Sequence, residues 1–498
     1  MKVKIESSKI VKPLYEDGEA PARAQWVPLS VFDKVTYGEH VAIIFAFRPP
    51  NPPNSEVELG LAKALAVYRE WAGQIGDGAD GRRSVLLNDA GARFVEATVD
   101  APMAVSVPSG PSPEVRRLHP RIHDGPVELV QVQLTRFSCG SLAVGFAGHH
   151  QIADGQATAN FLAAWGLATR QLPVSPLPVC DRGTRFAPRE PPLVEFPHRE
   201  VEYRAPAPNT MDEKEEIGFG AAGHDKVKVH MMHLSKDFVA RLKARASSGL
   251  PPSRRGYTTF QSVVAHLWRA ITAARGLGAD VTTKVRISVN GRMRMRPPMP
   301  RDYFGNVVLW AFPRTDAGDL VSRPVGHAAE LVYRAVADVD DAYFRSFVDL
   351  ASSGVVEAEG LVSTADSEQA VLCPDLEVDA WLGINFHGLN FGGGGPFRVM
   401  PTYYPMEGSL FLVPSTLGDG GMEAYVALFD DHLAEFKRIC KQVTKLNNHR
   451  NTRGLIMQQN MFMWDFTCGK RGEQPLHCVW PVVGIGIMRD TLKSELLP

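Results

Sequence analysis

Long apolar runs are absent from this sequence of 498 residues. The longest apolar stretches, such as Val41–Phe47, are only as long as a buried strand, whereas a membrane-spanning helix needs about 20 apolar residues. The opening Met1-Lys-Val-Lys-Ile-Glu6 also has no apolar segment of the kind found in secretory signals. We therefore expect neither a membrane-spanning helix nor a signal peptide.

An excess of charge of one sign is missing as well. The chain carries 54 basic and 55 acidic side chains, and this balance argues against nucleic acid or a membrane surface as a general partner. The cysteines form neither close pairs nor the spacing of metal ligands, as expected in a reducing compartment; they are Cys139, Cys180, Cys373, Cys440, Cys468 and Cys478. The cytoplasm is the expected location.

The length exceeds what one hydrophobic core usually serves, so two domains are expected. Prolines are dense in residues 173–209, and proline at this density favours an extended crossover between domains. We therefore place an N-terminal domain at residues 1–172 and a C-terminal domain at residues 210–441. Residues 442–498 mix polar runs with tryptophans and show no sustained period, so we expect an atypical tail without a catalytic role.

Strand and helix patterns occur in both halves of the chain. Leu129–Arg136 alternates apolar and polar side chains and leads through a turn to the apolar run Leu142–Phe146, which is the pattern of a β-hairpin. In the second half, Ser235 and Thr258 each precede a helix, and Gln261 completes a capping box with Thr258. This mixture indicates an α/β fold.

The most informative segment follows that hairpin and reads His149-His150-Gln-Ile-Ala-Asp154-Gly155. His150 lies where an apolar strand meets a loop, a common place for functional side chains, and a helix is expected to begin near Asp154. Three interpretations are open. A metal site lacks further ligands at a readable spacing. In the second interpretation, both histidines are structural, and backbone carbonyls at the strand end supply their hydrogen-bond partners. In the third, His150 is a general base and Asp154 folds back into an ion pair that shapes the loop.

The same segment resembles the HxxxDG signature of the plant BAHD acyltransferases, with His150, Asp154 and Gly155 at the fixed positions. Other segments agree with this family in order and spacing over about residues 3 to 441. They are Ser8–Pro13 and Pro28–Asp33 near the start, Thr258–Leu277 in a long helix, Asn290–Asn306 ending in Tyr-Phe-Gly-Asn, and Asn390–Gly394 in place of a DFGWG motif.

The resemblance implies a fold and a reaction. Each half is expected to have a chloramphenicol-acetyltransferase-like fold with mixed sheets, and the active-site channel is expected between the two domains. Family members transfer an acyl group from a CoA thioester directly to an alcohol or amine, and the sequence has no G-x-S-x-G nucleophile motif. His150 is then the general base, and Asp154 is a structural partner of Arg292. A solvated surface position is the alternative for Arg292.

The resemblance also sets expectations for cofactors and assembly. Acyl-CoA is a co-substrate and a small amine the second substrate, so neither a cofactor nor a metal is expected, and a monomer is expected. CoA carries phosphates that need cations or helix amides. Arg254 and Arg255 precede the helix that begins near Thr258, where free backbone N–H groups favour an anion. We expect CoA binding there; two solvated surface arginines are the alternative.

Two residues depart from the family's motif. Asn390 and Gly393 stand where DFGWG has Asp and Trp, whereas Gly392 matches. Because the resemblance implies a structural role for this motif, the departures bear on stability or turnover rather than on the chemistry. They leave open a catalytically weak relative that binds CoA esters or a partner.

The acceptor is expected to be an amine. Relatives that esterify shikimate or quinate carry an arginine seven residues before the motif's Asp, where this chain has Gly383. Tyr68–Gly73 and Pro401–Gly408 resemble the cereal members that acylate amines. These features favour tryptamine, tyramine, agmatine or putrescine as acceptor and a hydroxycinnamoyl- or benzoyl-CoA as donor. Glu407 is the candidate carboxylate that attracts the cation at the pocket mouth.

Other functions fit parts of the sequence. The HHxxxDG pattern also fits condensation domains of peptide synthetases, but those lie beside carrier-protein domains for which this chain has no room. An O-acyltransferase acting on shikimate, quinate or another alcohol is a nearer alternative, because Gly383 argues only against acidic acceptors.

Overall fold

The computed structural model has strands and helices in both halves of the chain. The described residues are 1–15, 24–108, 110–122, 127–206, 226–366 and 371–449, and side chains are described up to Lys441, except that of Asp366. Of the tail expected at residues 442–498, residues 442–449 continue the helix Asp430–His449, and the rest lies outside the described residues. Within the described ranges, no helix combines the length and the apolar character that crossing a bilayer requires.

The described chain contains eighteen strands and eleven α-helices. The strands are β1 Lys4–Val11, β2 Gln25–Pro28, β3 His40–Phe47, β4 Gln74–Asp77, β5 Arg83–Leu87, β6 Ala92–Val99, β7 Val130–Phe137, β8 Leu142–His149, β9 Tyr203–Arg204, β10 Val227–Leu234, β11 Thr282–Asn290, β12 Val308–Ala311, β13 Arg314–Asp316, β14 Val362–Ser363, β15 Leu376–Ala380, β16 Arg398–Pro401, β17 Ser409–Pro414 and β18 Met422–Phe429. The helices are α1 Val31–Val35, α2 Asn54–Val67, α3 Met103–Ser106, α4 Gly155–Thr169, α5 Lys236–Ser247, α6 Thr259–Arg275, α7 Ala317–Ser322, α8 Val325–Asp338, α9 Asp341–Ser352, α10 Val355–Ala358 and α11 Asp430–His449.

The first large sheet has the strand order β1-β6-β7-β8-β3-β16. Strands β6 and β7 run parallel and the other neighbours are antiparallel, so the sheet is mixed. The predicted hairpin is confirmed as β7 and β8, in which Arg136 faces Leu142. Strand β16 comes from the second half of the chain and pairs with β3, with Pro401 opposite Ile43. The first half alone therefore does not supply all strands of this sheet.

The second large sheet has the order β10-β18-β17-β15-β11-β12, with β13 also paired to β11. Strand β15 runs parallel to both neighbours, β11 and β17, so this sheet is mixed as well. Helix α6 begins at the predicted cap: the Thr258 side chain accepts from the Gln261 N–H, and the Gln261 side chain accepts from the Thr258 N–H. Ser235 caps α5 by accepting from the Phe238 N–H. The expected α/β architecture with mixed sheets is confirmed.

The proline-rich crossover is described up to Pro206 and contributes only the two-residue strand β9. Its Arg182 is fully buried and donates to Asp33 Oδ2 at 3.1 Å. The same guanidinium donates to the carbonyl of Ile152 at 2.9 Å and to that of Phe304 at 3.3 Å. Asp33 Oδ1 also accepts from the backbone and side-chain N–H groups of Asn306, each at 2.9 Å. One buried cation thus joins the crossover to α1, to the loop after β8 and to the segment before β12.

Removing Arg182 should destabilise the protein strongly. Arg182→Met leaves the Asp33 carboxylate buried without its cation, and breaking a buried pair in this way costs about 3–5 kcal/mol. The matched control is Arg199→Met, because Arg199 pairs with Glu359 at the surface, with side chains 53% and 46% exposed, and such pairs contribute about 0–1 kcal/mol. Urea unfolding curves measure both changes. Equal unfolding midpoints for the two variants would contradict this account.

Candidate active site

The backbone after β8 holds His150 in place. The His150 N–H donates to the Glu39 carbonyl at 2.9 Å, and the Ile152 N–H donates to the His149 carbonyl at 3.0 Å. Asp154 then caps α4, its Oδ1 accepting from the Ala157 N–H at 3.0 Å. From the other side, the Asn306 amide donates to the carbonyls of His150 and Gln151 at 3.0 and 3.2 Å. The imidazole therefore projects from a turn that is braced at both ends.

The His150 ring lines a cavity of about 380 Å³ and is partly buried. Its Nδ1 lies 3.1 Å from Thr36 Oγ1, and the Tyr37 ring packs edge-on with ring centroids 5.5 Å apart. Burial lowers the pKa of His150, and the nearby Asp154 charge opposes that shift. The imidazole is therefore neutral at pH 7. A base at Nε2 requires the Nδ1–H to donate to Thr36, which makes Thr36 a positioning residue.

His149 has different surroundings. Its ring packs edge-on against His40, with centroids 5.1 Å apart. Burial first, and then the neighbouring His40 and His150, lower the pKa of His149 to about 3. This ring does not line the cavity that His150 enters, so the two adjacent histidines have separate environments.

The ion pair predicted between Asp154 and Arg292 is present. Arg292 donates to both carboxylate oxygens, at 2.6 and 3.1 Å, and both side chains are buried. It also donates to the carbonyls of Tyr303 and Gly305 at 3.2 and 3.0 Å, and the Val307 N–H donates to Asp154 at 3.1 Å. The described hydrogen bonds of the carboxylate thus go to α4, Arg292 and the Val307 backbone rather than to the His150 ring. Arg292 is not a solvated surface residue.

The loop at Asn390–Gly394 explains the two departures from DFGWG. Asn390 Oδ1 accepts from the N–H groups of Gly392 and Gly394 at 2.8 and 3.1 Å, so an amide oxygen closes this turn. A Cβ at Gly393 would lie 2.3 Å from the Pro50 carbonyl oxygen, which leaves no room for a larger residue. Gly392 has φ of +113°, a conformation that favours glycine. Neither Asn390 nor Gly393 lines the cavity.

The expected CoA site is not brought to this cavity. Arg254 donates to Glu330 at 2.6 Å and lies over the Tyr333 ring, whereas Arg255 is exposed. Thr258 caps α6 with its side chain. None of the three lines the cavity around His150. Their role in CoA binding stays a prediction.

Glu407 does not serve as the expected carboxylate at the pocket mouth. Its side chain is fully buried and accepts three hydrogen bonds from Arg275, at 2.7, 2.8 and 3.0 Å. The Cys373 N–H donates to it as well. A carboxylate that neutralises a buried arginine is not available to attract a substrate, so this interpretation was wrong.

The acids that line the cavity include Glu377 and Asp379 on β15. The Tyr37 hydroxyl donates to Glu377, and the Ser288 hydroxyl lies 3.5 Å from Asp379. Burial and the Glu377 charge raise the pKa of Asp379 to about 7. The alternation with buried Leu376 and Val378 was the sequence signal for these side chains, since every second residue of a strand shares a face.

The remaining walls are largely apolar, with several aromatic side chains, and come from both large sheets and the loops between them. They include Phe146, Trp310, Trp381, Phe386, Tyr403 and Phe411. Gly383 also lines the cavity, and a Cβ added there would meet no atom within 4 Å. The position therefore has space for a side chain to begin but carries no charge.

Residues 1–442 match the model of a protein family described as the Transferase family. The chain belongs to the BAHD acyltransferases. Among BAHD relatives, agmatine hydroxycinnamoyltransferase 1 of Oryza sativa subsp. japonica is 51% identical over 451 residues, covering 90% of this chain and 100% of the relative. Putrescine hydroxycinnamoyltransferase of the same organism is 51% identical over 458 residues, covering 89% of this chain and 100% of the relative.

The crystal structure of vinorine synthase is similar in fold. It superposes with a TM-score of 0.65 at 21% sequence identity, covering 87% of this chain and 96% of that chain. At this identity the likeness shows the fold alone, and it agrees with the BAHD family match.

His150→Ala should abolish most acyl transfer while the protein stays folded. A positioned general base contributes about 10²–10⁴-fold to the rate, and the backbone bonds that shape the turn do not involve the imidazole. The matched control is His149→Ala, whose ring lies outside the cavity and which should retain most of its activity. The measurement is kcat/KM beside the thermal midpoint. A His150→Ala enzyme within about threefold of the wild type would contradict the base assignment.

Asp154→Asn and Arg292→Gln should be strongly coupled. Because each side chain neutralises the other in a buried site, the free energy of unfolding lost by the double variant should be about 1–3 kcal/mol less than the sum of the single losses. Urea unfolding of the four proteins completes the cycle. As a control, Asp154→Asn combined with Arg199→Met should be additive, because Arg199 pairs elsewhere. Full additivity for the Asp154 and Arg292 pair would show that the contact carries no coupling.

Proposed function

We propose that this protein transfers a hydroxycinnamoyl or benzoyl group from its CoA thioester to an amine. The observation that carries the proposal is the position of the His150 imidazole, which lines a largely apolar cavity together with Glu377 and Asp379. Relatives named for agmatine and putrescine, each 51% identical and matched over nearly their whole length, support an amine as the acceptor.

In the proposed step, the amine nitrogen attacks the thioester carbonyl while His150 accepts a proton from that nitrogen. The carbon–nitrogen bond forms, the carbon–sulfur bond breaks, and CoA leaves as a thiolate that takes up a proton. No covalent bond to the enzyme is needed. Thr36 can accept a hydrogen bond from the Nδ1–H, which leaves Nε2 free to take the proton, and the Asp154–Arg292 pair holds the turn from which His150 projects. Orienting the two bound substrates contributes as much as the base or more.

An alkyl amine must reach this base without its proton. With a pKa of about 10.4 it lies roughly 3.4 units above neutrality, so presenting it neutral at pH 7 costs about 4–5 kcal/mol. Desolvation between aromatic walls lowers the pKa of an ammonium and reduces this cost. The acids that line the cavity, Glu39, Glu377 and Asp379, attract the incoming cation and disfavour an acidic acceptor. Gly383 offers such an acceptor no cation.

We also propose that acyl-CoA is a co-substrate with no further cofactor, that the enzyme is monomeric, and that it works in the cytoplasm. The likeness to the BAHD family supports the first of these statements. The balanced charge and the wide spacing of the cysteines along the sequence support the last.

The proposed function is tested by release of CoA thiol from p-coumaroyl-CoA with agmatine, putrescine, tryptamine and shikimate. The amines should react and shikimate should be a poor acceptor. Because the lowered pKa keeps His150 neutral above about pH 7, amine turnover should rise about tenfold per pH unit towards about pH 9, as the neutral amine fraction grows. His150→Ala corrects for spontaneous hydrolysis. A clear preference for shikimate by the wild type would replace this proposal with O-acyl transfer.

A further inference from the structure

We infer that Glu377 and Asp379 form a subsite for a second cationic group on the acceptor, so that the substrate class is diamines and guanidino-amines rather than arylalkyl monoamines. The inference rests on the proposed function, since it names the acceptor class of the same cavity. Among the acceptors considered, agmatine and putrescine carry a second cation at the end of a short aliphatic chain, whereas tryptamine and tyramine do not.

The strand geometry turns both carboxylates towards the cavity. In β15, Leu376 and Val378 are 1% exposed and belong to the core, whereas Glu377 and Asp379 lie on the opposite face and line the cavity. The parallel neighbours fix this arrangement, because Glu377 is in register with Arg286 on β11 and with Ser409 on β17. The two acids are therefore placed by the central strands of a sheet rather than by a loop.

Among the described residues, neither of these two acids forms an ion pair. Within the part of the chain that the structure describes, their side-chain partners are hydroxyl groups: Tyr37 donates to Glu377, and Ser288 lies 3.5 Å from Asp379. Arg286 is the cation whose charge acts on Asp379. The Arg286 guanidinium forms no ion pair with either acid: it stacks 4.0 Å from the Trp310 ring centroid and donates to the Thr364 carbonyl at 3.2 Å. The carboxylates of Glu377 and Asp379 can therefore still pair with a ligand cation.

An independent observation also indicates a ligand at this place. Ser409, the register neighbour of Glu377, is 4% exposed and lines the cavity. Its hydroxyl oxygen is buried and has no hydrogen-bond partner among the described residues. Buried polar groups in proteins normally have a partner, and a guanidinium or ammonium N–H beside Glu377 would supply one.

Tyr37 connects this subsite to the base. Its ring packs against the His150 ring, and its hydroxyl donates to Glu377. The reacting amine at His150 and a cation at Glu377 would therefore lie at the two ends of one tyrosine side chain. An acceptor with two cationic groups joined by an aliphatic chain could reach both places, and the Tyr37 ring provides an apolar and cation-attracting wall between them.

The raised pKa of Asp379 agrees with this use of the site. Burial and the neighbouring Glu377 charge raise the pKa of Asp379 to about 7. A ligand cation would favour the charged form of Asp379. The same pair would repel the carboxylate of shikimate or quinate.

The test compares agmatine with pentylamine, which retains an aliphatic chain and one amine but lacks the guanidinium. The wild type should use agmatine with kcat/KM at least about tenfold higher. In Glu377→Gln and Asp379→Asn, the agmatine value should fall about 10–100-fold, mainly through KM, because charged hydrogen bonds are lost. The pentylamine value should fall by a clearly smaller factor, because its single ammonium is attracted by the same acids as it enters but makes no bond in the subsite, so the preference for agmatine should shrink. Glu359→Gln, the same change on an exposed acid paired with Arg199, should leave both substrates unaffected.

Two results would overturn the subsite while leaving the proposed function intact. One is a wild type that uses pentylamine as well as agmatine. The other is an equal loss for both amines in folded variants, since that is the signature of a structural role. If a variant fails to fold, the wild-type comparison still decides. Calorimetric titration of agmatine into the wild type without acyl-CoA adds a readout that does not depend on turnover. A wild type that acylates shikimate but no amine would overturn both proposals.

Discussion

The ion pair between Asp154 and Arg292 is the interaction on which the candidate active site depends. It lies between the helix after the His150 turn and the segment that leads to β12, and both side chains are buried. A buried carboxylate without its cation is strongly destabilising, so the two halves of the chain must meet in one register for either charge to be satisfied. That register also brings Asn306 against the carbonyls of His150 and Gln151. The position of the imidazole is thus a consequence of charge neutralisation some distance from its ring.

The cavity combines two requirements that oppose each other. A neutral base and a neutral amine both favour a desolvated, aromatic environment, which the walls supply. An amine arrives as a cation, however, and a purely apolar cavity would disfavour its entry because the ammonium would lose its hydration. Placing carboxylates on β15 and the imidazole on the turn after β8 separates attraction from proton removal. Tyr37 contacts both and keeps the two environments adjacent.

The local parts of the site were predictable from the sequence, because they rest on neighbours in the chain. The hairpin, the cap at Asp154 and the capping box at Thr258 each depend on side chains a few residues apart. The Asp154–Arg292 pair was predictable only from the family resemblance, since its partners are 138 residues apart. Glu407 was misjudged because its partner, Arg275, lies 132 residues away and leaves no local signal.

The acids on β15 were missed for a related reason. Alternation over five residues describes an ordinary half-exposed strand, and only the tertiary structure shows that its polar face lines a cavity rather than bulk solvent. The glycine at position 393 likewise has its cause elsewhere in the fold, in the carbonyl oxygen of Pro50. Contacts between distant segments decide these features, and a local pattern does not record them.

The pairing of β16 with β3 has a consequence for synthesis of the chain. Strand β3, His40–Phe47, is almost wholly buried and apolar, and it lacks one neighbour until Arg398–Pro401 has been made. On a ribosome that adds about 5–20 residues per second, this edge stays open for roughly 20–70 s. An apolar strand with a free edge is a template for pairing with other chains. The nascent protein therefore passes through an aggregation-prone interval in which chaperone protection has the most effect.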